Sequence, residues 1–215
     1  MIRLLGWLSA LSLVTGLIMG FGVAPRELTQ GNVQRIMYLH VPTAWVAYLA
    51  FGVVFVASIW YLWNRAARAD QLAHASAEVG VVFTGLTIAA GSIWGKPTWG
   101  TWWTWDARLT SVTILFVMYV GYLLLRGMID DRERAARYCA VLGIVGALDL
   151  PLVHFSVYWW RTLHQPPSVL KPGAPTMAPV ILAALLANVA AFTILYAYFV
   201  AKRVHTLRRE HELLA

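Results

Sequence analysis

The sequence predicts an all-α integral membrane protein that crosses the membrane six times. Its 215 residues are 60% hydrophobic and only 13% charged, whereas a soluble domain carries about 25% charged residues. The hydrophobic residues fall in blocks of roughly 20, the number that an α-helix needs to cross a hydrocarbon core of about 30 Å. An ordinary soluble domain is therefore excluded. We interpret residues 1–215 as a single polytopic membrane domain.

Six apolar segments are the predicted spans. They cover residues 4–24, 44–63, 79–94, 109–128, 138–160 and 179–201. The first is longer than the apolar region of about 7–15 residues in a signal peptide, so we expect it to be retained. The third is the shortest, and its start can lie a turn earlier, at Ala75. Cys139 is the only cysteine, which excludes an internal disulfide.

The distribution of basic residues predicts the orientation in the membrane. Most of the 17 lysines and arginines lie near the termini and in the loops after the second and fourth spans. Basic loops stay on the cytoplasmic side, so both termini are predicted to be cytoplasmic and residues 25–43, 95–108 and 161–178 to face outward. Anionic lipid headgroups explain the net charge of +7 without a nucleic-acid partner.

The stretch "WGKPTWGTWWTWDARLT" occupies residues 94–110, in the predicted outer loop between the third and fourth spans. Tryptophan is enriched at membrane surfaces, but there it usually comes singly at a helix end. If this loop is helical, its spacing places four residues on one face: Trp99, Trp102, Trp103 and Asp106. Glycines and a proline in the stretch favour an irregular entry instead. Asp106 precedes the fourth span, where it is expected to cap the helix.

A flat aromatic ligand suits such a tryptophan patch, because indole offers a large π face with one N–H donor at its rim. The basic candidates for contacts with an anionic ligand are Arg35, Lys96 and Arg108, although basic side chains extending to the interface explain them equally well. A porphyrin with two carboxylates therefore fits better than an uncharged quinone.

Three histidines are candidate ligands for iron. His40 and His164 lie in predicted outer loops beside the patch, and an iron porphyrin with two axial imidazoles needs one on each face. His154 competes with them, because it lies inside the fifth span, about 9 Å below the predicted outer surface. A structural pairing with Asp149 at a helix kinked by Pro151 explains His154 equally well.

Three segments resemble those of a known family. "WGKPTWGTWWTWDARLTS" resembles the tryptophan-rich WWD motif of the haem-handling proteins of cytochrome c biogenesis system I. "YLHVPTAW" and "LPLVHFSVYWWRTLHQPPS" are similar to the flanking histidine segments of the CcmC family, and the resemblance covers residues 20–168. It implies haem b held at the periplasmic face of the bacterial inner membrane, with His40 and His164 as axial ligands of the iron.

The resemblance also implies partners. Family members present haem to the haem chaperone CcmE, the ABC-type proteins CcmA and CcmB release the loaded chaperone, and the small membrane protein CcmD assists in the CcmABCD complex. A role as a haem-presenting transport and assembly factor is favoured. Whether covalent haem attachment is catalysed here stays open, and no catalytic residue is predicted.

Two other classes of function remain alternatives at this point. One is a respiratory membrane b-type cytochrome or quinone-binding subunit. The other is a channel or transporter half in which the tryptophans form a hydrophobic gate.

Overall fold

The computed structural model describes residues 2–169 and 171–213. Within them the chain forms helices joined by loops. The helices are α1 Ile2–Leu17, extended by a π-helical turn at Ile18–Val23, then α2 Met37–Asn64, preceded by a 3₁₀ turn at Val33–Ile36, α3 Ala67–Trp99, α4 Ala107–Met128, α5 Arg132–Ala147, α6 Asp149–Trp159 and α7 Pro179–Leu213.

In the described residues, six helical segments are long and apolar enough to cross a membrane. They are Ile2–Val23, Val33–Asn64, Ala67–Trp99, Ala107–Met128, Arg132–Trp159 and Pro179–Glu210. This confirms the predicted all-α membrane protein with six spans. α2 lies at the centre of the bundle and packs against α3, α5 and α7. On one of its faces Phe51 stacks on Tyr119 of α4, with ring centroids 3.7 Å apart.

The second span begins earlier than predicted, and this moves His40 out of the expected loop. α2 starts at Met37 rather than at residue 44, so His40 lies in its first turn. The prediction placed the start of this span at residue 44, after Pro42. Pro42 removes only the one N–H that bonds the carbonyl four residues earlier, and the 3₁₀ turn at Val33–Ile36 already sets the helical direction. The description of two loop histidines is therefore wrong for His40.

The tryptophan-rich stretch is divided between a helix and a loop. α3 continues through Gly95 and Pro97 to Trp99, so the expected irregular entry at these two residues is wrong. The helix ends at Gly100, whose φ of +80° is left-handed and whose N–H donates to the Lys96 carbonyl at 3.0 Å. Glycine takes this conformation without steric cost. Residues 101–106 are not helical, so the predicted single helical face does not form.

The fifth span is broken into α5 and α6 at Leu148, in agreement with the kinked helix that the alternative explanation of His154 assumed. Pro151 has no N–H to donate to the Ala147 carbonyl, and the helix is interrupted at that point. The alternative pairing of His154 with Asp149 is not observed in the described residues. His154 instead packs edge-on against Phe155, with ring centroids 5.0 Å apart, and Asp149 Oδ2 is buried without a hydrogen-bond partner.

Candidate functional site

A cavity opens at the end of the bundle where α3 ends and α4 begins. Its walls come mainly from α2, α3, α4, α6, the loop of residues 100–106 (the WWD loop) and residues 160–169 (the His164 loop). Its empty space, counted together with the solvent at its open side, is about 1060 Å³. Six residues predicted from the sequence line it: His40, Trp99, Trp102, Trp103, Arg108 and His164.

His40 presents one ring nitrogen to the cavity. Its Nδ1 lies 3.1 Å from the carbonyl oxygen of Thr87 on α3. A carbonyl only accepts hydrogen bonds, so Nδ1 carries the hydrogen and the lone pair of a neutral ring is on Nε2. Trp94 packs edge-on against the imidazole, with ring centroids 5.7 Å apart. Both contacts fix the plane of the ring, which is how proteins orient a histidine ligand.

The ring of His164, in the loop that follows α6, is oriented in the same way. Its Nδ1 lies 2.8 Å from the carbonyl oxygen of Gln165, which again leaves Nε2 as the bare nitrogen. Trp99 packs against the ring at a centroid distance of 6.0 Å. Burial lowers the pKa of His164 to about 4, and the positive charge of Arg108 lowers it further. The imidazole is therefore neutral near pH 7 and able to bind a metal.

Asp106 joins the two loops of the site. Its Oδ1 accepts the backbone N–H groups of Arg108 at 3.0 Å and Leu109 at 2.9 Å, which confirms the predicted cap of the fourth span. Its Oδ2 accepts the N–H of Leu163 at 3.1 Å. Because Leu163 precedes His164, one carboxylate positions both the start of α4 and the loop that carries the second histidine. Asp106 does not itself line the cavity.

The tryptophans form a wall and a rim. Trp99 and Trp103 are half-buried in the cavity wall, while Trp102 lines the cavity and is 58% exposed. Trp105 packs edge-on against Trp103, with ring centroids 5.5 Å apart, and is also exposed. The cavity therefore has indole surfaces inside and at its open edge.

Nε1 of Trp103 and Nη1 of Arg108 are hydrogen-bond donors of the wall, and both are buried without a partner in the described part of the chain. No salt bridge to Arg108 is present among the described residues either. Buried donors are nearly always paired in proteins. A ligand with negatively charged oxygen atoms would satisfy both of them and compensate the charge of Arg108.

Arg35 and Lys96 lie outside the cavity wall. Arg35 donates to the carbonyl oxygens of Phe21 and Ala24, which ties the end of the first span to the start of the second. Lys96 donates to the carbonyl oxygen of Gly100 at 3.1 Å and so supports the end of α3. The geometry therefore favours Arg108 over these two residues as the cation of the site.

Other residues of the cavity were missed from the sequence. On α2, Ala44 and Tyr48 follow His40 at steps of four residues, and on α3 Thr87, Gly91, Trp94 and Thr98 recur at steps of three and four. Both sets are helical faces. A helical interpretation of residues 37–43 and 95–99 would have revealed them.

Comparison with known proteins assigns this chain to a family. A family described as heme exporter protein C (CcmC) matches residues 1–214. Heme exporter protein C of Bradyrhizobium diazoefficiens is 45% identical over 212 residues, which cover 96% of this chain and 80% of that protein. The protein of the same name from Haemophilus influenzae is 40% identical over 200 residues, which cover 93% and 81%.

A more distant relative comes from a plant. A putative cytochrome c biosynthesis ccmC-like mitochondrial protein of Arabidopsis thaliana is 36% identical over 177 residues, which cover 82% of this chain and 66% of that protein. The match to the family extends along almost the whole chain. The chain belongs to the heme exporter protein C family.

Proposed function

We propose that this protein binds haem b at the periplasmic face of the bacterial inner membrane and presents it for c-type cytochrome assembly. Family membership supports a role in haem export for cytochrome c biogenesis. One observation carries the finer proposal. His40 and His164, which come from different elements, line one cavity with each Nδ1 bonded to a carbonyl and each Nε2 free.

The residues of the cavity fit haem as a cargo. The iron of haem accepts two axial nitrogen ligands, and the free Nε2 atoms of His40 and His164 are of the right kind. Half-buried indoles supply flat apolar surfaces for the porphyrin. The unpartnered donors of Trp103 and Arg108 suit the two propionates.

The open edge of the cavity is where a partner would meet the haem. Trp102 and Trp105 are exposed there, and indole is enriched at protein interfaces. We propose that this edge contacts the haem chaperone CcmE and leaves a vinyl group of the porphyrin accessible. The ABC-type proteins CcmA and CcmB and the small protein CcmD complete the proposed set of partners.

Haem content of variants tests the binding site. The protein purified from membranes is expected to show a Soret band, which His40→Ala combined with His164→Ala abolishes. His154→Ala is the matched control, because His154 lies outside the cavity wall, and this variant is expected to retain haem. A double variant that keeps its haem, together with a His154→Ala variant that loses it, would instead support a respiratory b-type cytochrome.

A second measurement separates presentation from binding. Trp102→Ala removes one of several indole contacts, worth about 0.5–1.5 kcal/mol, so we expect the variant to purify with haem but to load the chaperone poorly. Trp159→Ala is the control, since Trp159 is 59% exposed, much like Trp102, yet does not line the cavity. If chaperone loading only follows haem content in both variants, the edge has no presenting role.

A further inference from the structure

We propose that the hydroxyl group of Tyr48 is a specificity-determining donor that recognises a carboxylate of the bound porphyrin. The proposal rests on the function proposed above and adds a residue that the sequence did not single out. Tyr48 lines the cavity, and its hydroxyl oxygen is buried with no hydrogen-bond partner in the described residues.

The position of Tyr48 sets the direction in which the porphyrin would lie. Tyr48 follows His40 by eight residues on α2, so its Cα lies about 12 Å further along the helix axis, away from the open edge. Helical side chains tilt toward the N-terminus of their helix, which directs the phenol back toward the level of His40. A carboxylate bound to Tyr48 therefore lies on the inner side of the cavity.

The other unpaired donors of the wall support the same ligand chemistry. Tyr48, Trp103 and Arg108 each bring one buried, unpartnered donor to this cavity. No aspartate or glutamate occurs among the described residues that line it. Three donors without a protein acceptor fit a ligand that carries negatively charged oxygen atoms, and haem has two carboxylates on one edge.

The chain offers a matched control for the hydroxyl group. Tyr38 also lies on α2, and its hydroxyl oxygen is likewise buried without a partner in the described residues. It packs in an apolar cluster with Ala24, Met37 and residues of α7, and it does not line the cavity. Replacing either tyrosine by phenylalanine removes one buried, unpaired oxygen atom, but only Tyr48 can contact the ligand.

The experiment compares two probes on the same variants. Haem and haem dimethyl ester, whose carboxylates are methylated, are titrated into wild-type protein, Tyr48→Phe and Tyr38→Phe in detergent. We expect Tyr48→Phe to weaken the binding of haem by about tenfold, as for loss of a hydrogen bond to a charged group, and to leave the binding of the ester unchanged. Tyr38→Phe is expected to change neither.

The outcomes separate this proposal from the one on which it rests. Equal weakening for both probes, loss of both, or no weakening for haem would overturn the role of Tyr48. Wild-type protein that binds neither probe would contradict the proposed function itself. Binding of the ester by Tyr48→Phe also shows that the variant is folded with an intact cavity.

Discussion

The orientation of His40 depends on the absence of a side chain at Gly91. A Cβ atom at this position would lie 2.9 Å from Cε1 of His40 and 3.4 Å from its Nδ1. Glycine inside a helix is less favourable than alanine by roughly 0.5–1 kcal/mol. Gly91 therefore makes α3 less stable but leaves space for the imidazole of His40 on the neighbouring helix.

Gly91→Ala is expected to stabilise α3 by up to about 1 kcal/mol and to lower the affinity for haem, because the new methyl group displaces the imidazole of His40. Thermal unfolding and haem titration measure the two effects. Gly85→Ala is the control on the same helix, since its Cβ would meet only Phe116 at an ordinary 3.6 Å. Equal haem affinity in both variants would show that Gly91 has no special role.

Residue chemistry alone predicted most of the candidate site, since His40, His164, Trp103 and Arg108 all line one cavity. Tyr48 could not be predicted in this way. Its phenol has no distinctive sequence context, and its relation to His40 depends on α2 starting before His40 rather than after Pro42. The double role of Asp106 was half predicted: its cap follows from local sequence, but its bond to Leu163 joins residues 57 positions apart.

At the scale of helices, the break between α5 and α6 affects the shape of the site. Pro151 is the third residue of α6, where its missing N–H interrupts the hydrogen bonding of one continuous helix. α6 then contributes Val153 to the cavity wall and leads into the loop that holds His164. The break therefore lies on the path of the chain toward that loop.

Pro151→Ala is expected to restore the hydrogen bond to the Ala147 carbonyl and to straighten the span. Because this bond is absent with proline, thermal stability is expected to rise, while haem content is expected to fall as the His164 loop is displaced. Pro179→Ala is the control, because Pro179 is the first residue of α7, where no hydrogen bond is lost. Unchanged haem content in Pro151→Ala would show that the break does not position His164.

The number of spans follows from hydropathy, but the ends of the helices do not. Hydropathy marks the part of a helix that crosses the hydrocarbon core. α2 and α3 extend beyond it, to Met37 and Trp99, where tertiary contacts such as the Trp94 bond to Gln30 at 2.9 Å hold them. These extensions carry His40 and much of the tryptophan wall. The geometry of the site could not be predicted from hydropathy there, because the helices continue beyond the apolar segments.

Across the whole molecule, ion pairs join some of the helices, whereas the cation at the cavity has no ion-pair partner among the described residues. Asp70 pairs with Arg126, and Glu78 pairs with Arg203. These bridges join α3 to α4 and to α7 near the ends remote from the cavity. Among the described residues that line the cavity, only Arg108 is a charged residue with a buried donor atom that has no hydrogen-bond partner. The molecule thus has an ion-paired end and, at the cavity, an end whose cation is available to an anionic ligand.

The predicted orientation assigns the cavity to the periplasm and the ion-paired end to the cytoplasm, because basic loops stay inside. Reporter fusions after Ala24 and after Trp103 are expected to be active outside, and fusions after Arg68 and after Arg134 inside. A cytoplasmic result after Trp103 would separate the cavity from a periplasmic chaperone and contradict the proposed delivery of haem.

The central claim is that His40 and His164 each bind one face of a single haem. The most direct measurement is the haem absorption spectrum of the two single alanine variants, with and without added imidazole. We expect each variant to keep weakly bound haem with an altered spectrum, and imidazole to restore the wild-type spectrum by occupying the vacated axial position. Wild-type haem content and spectrum in both variants without imidazole would contradict the claim.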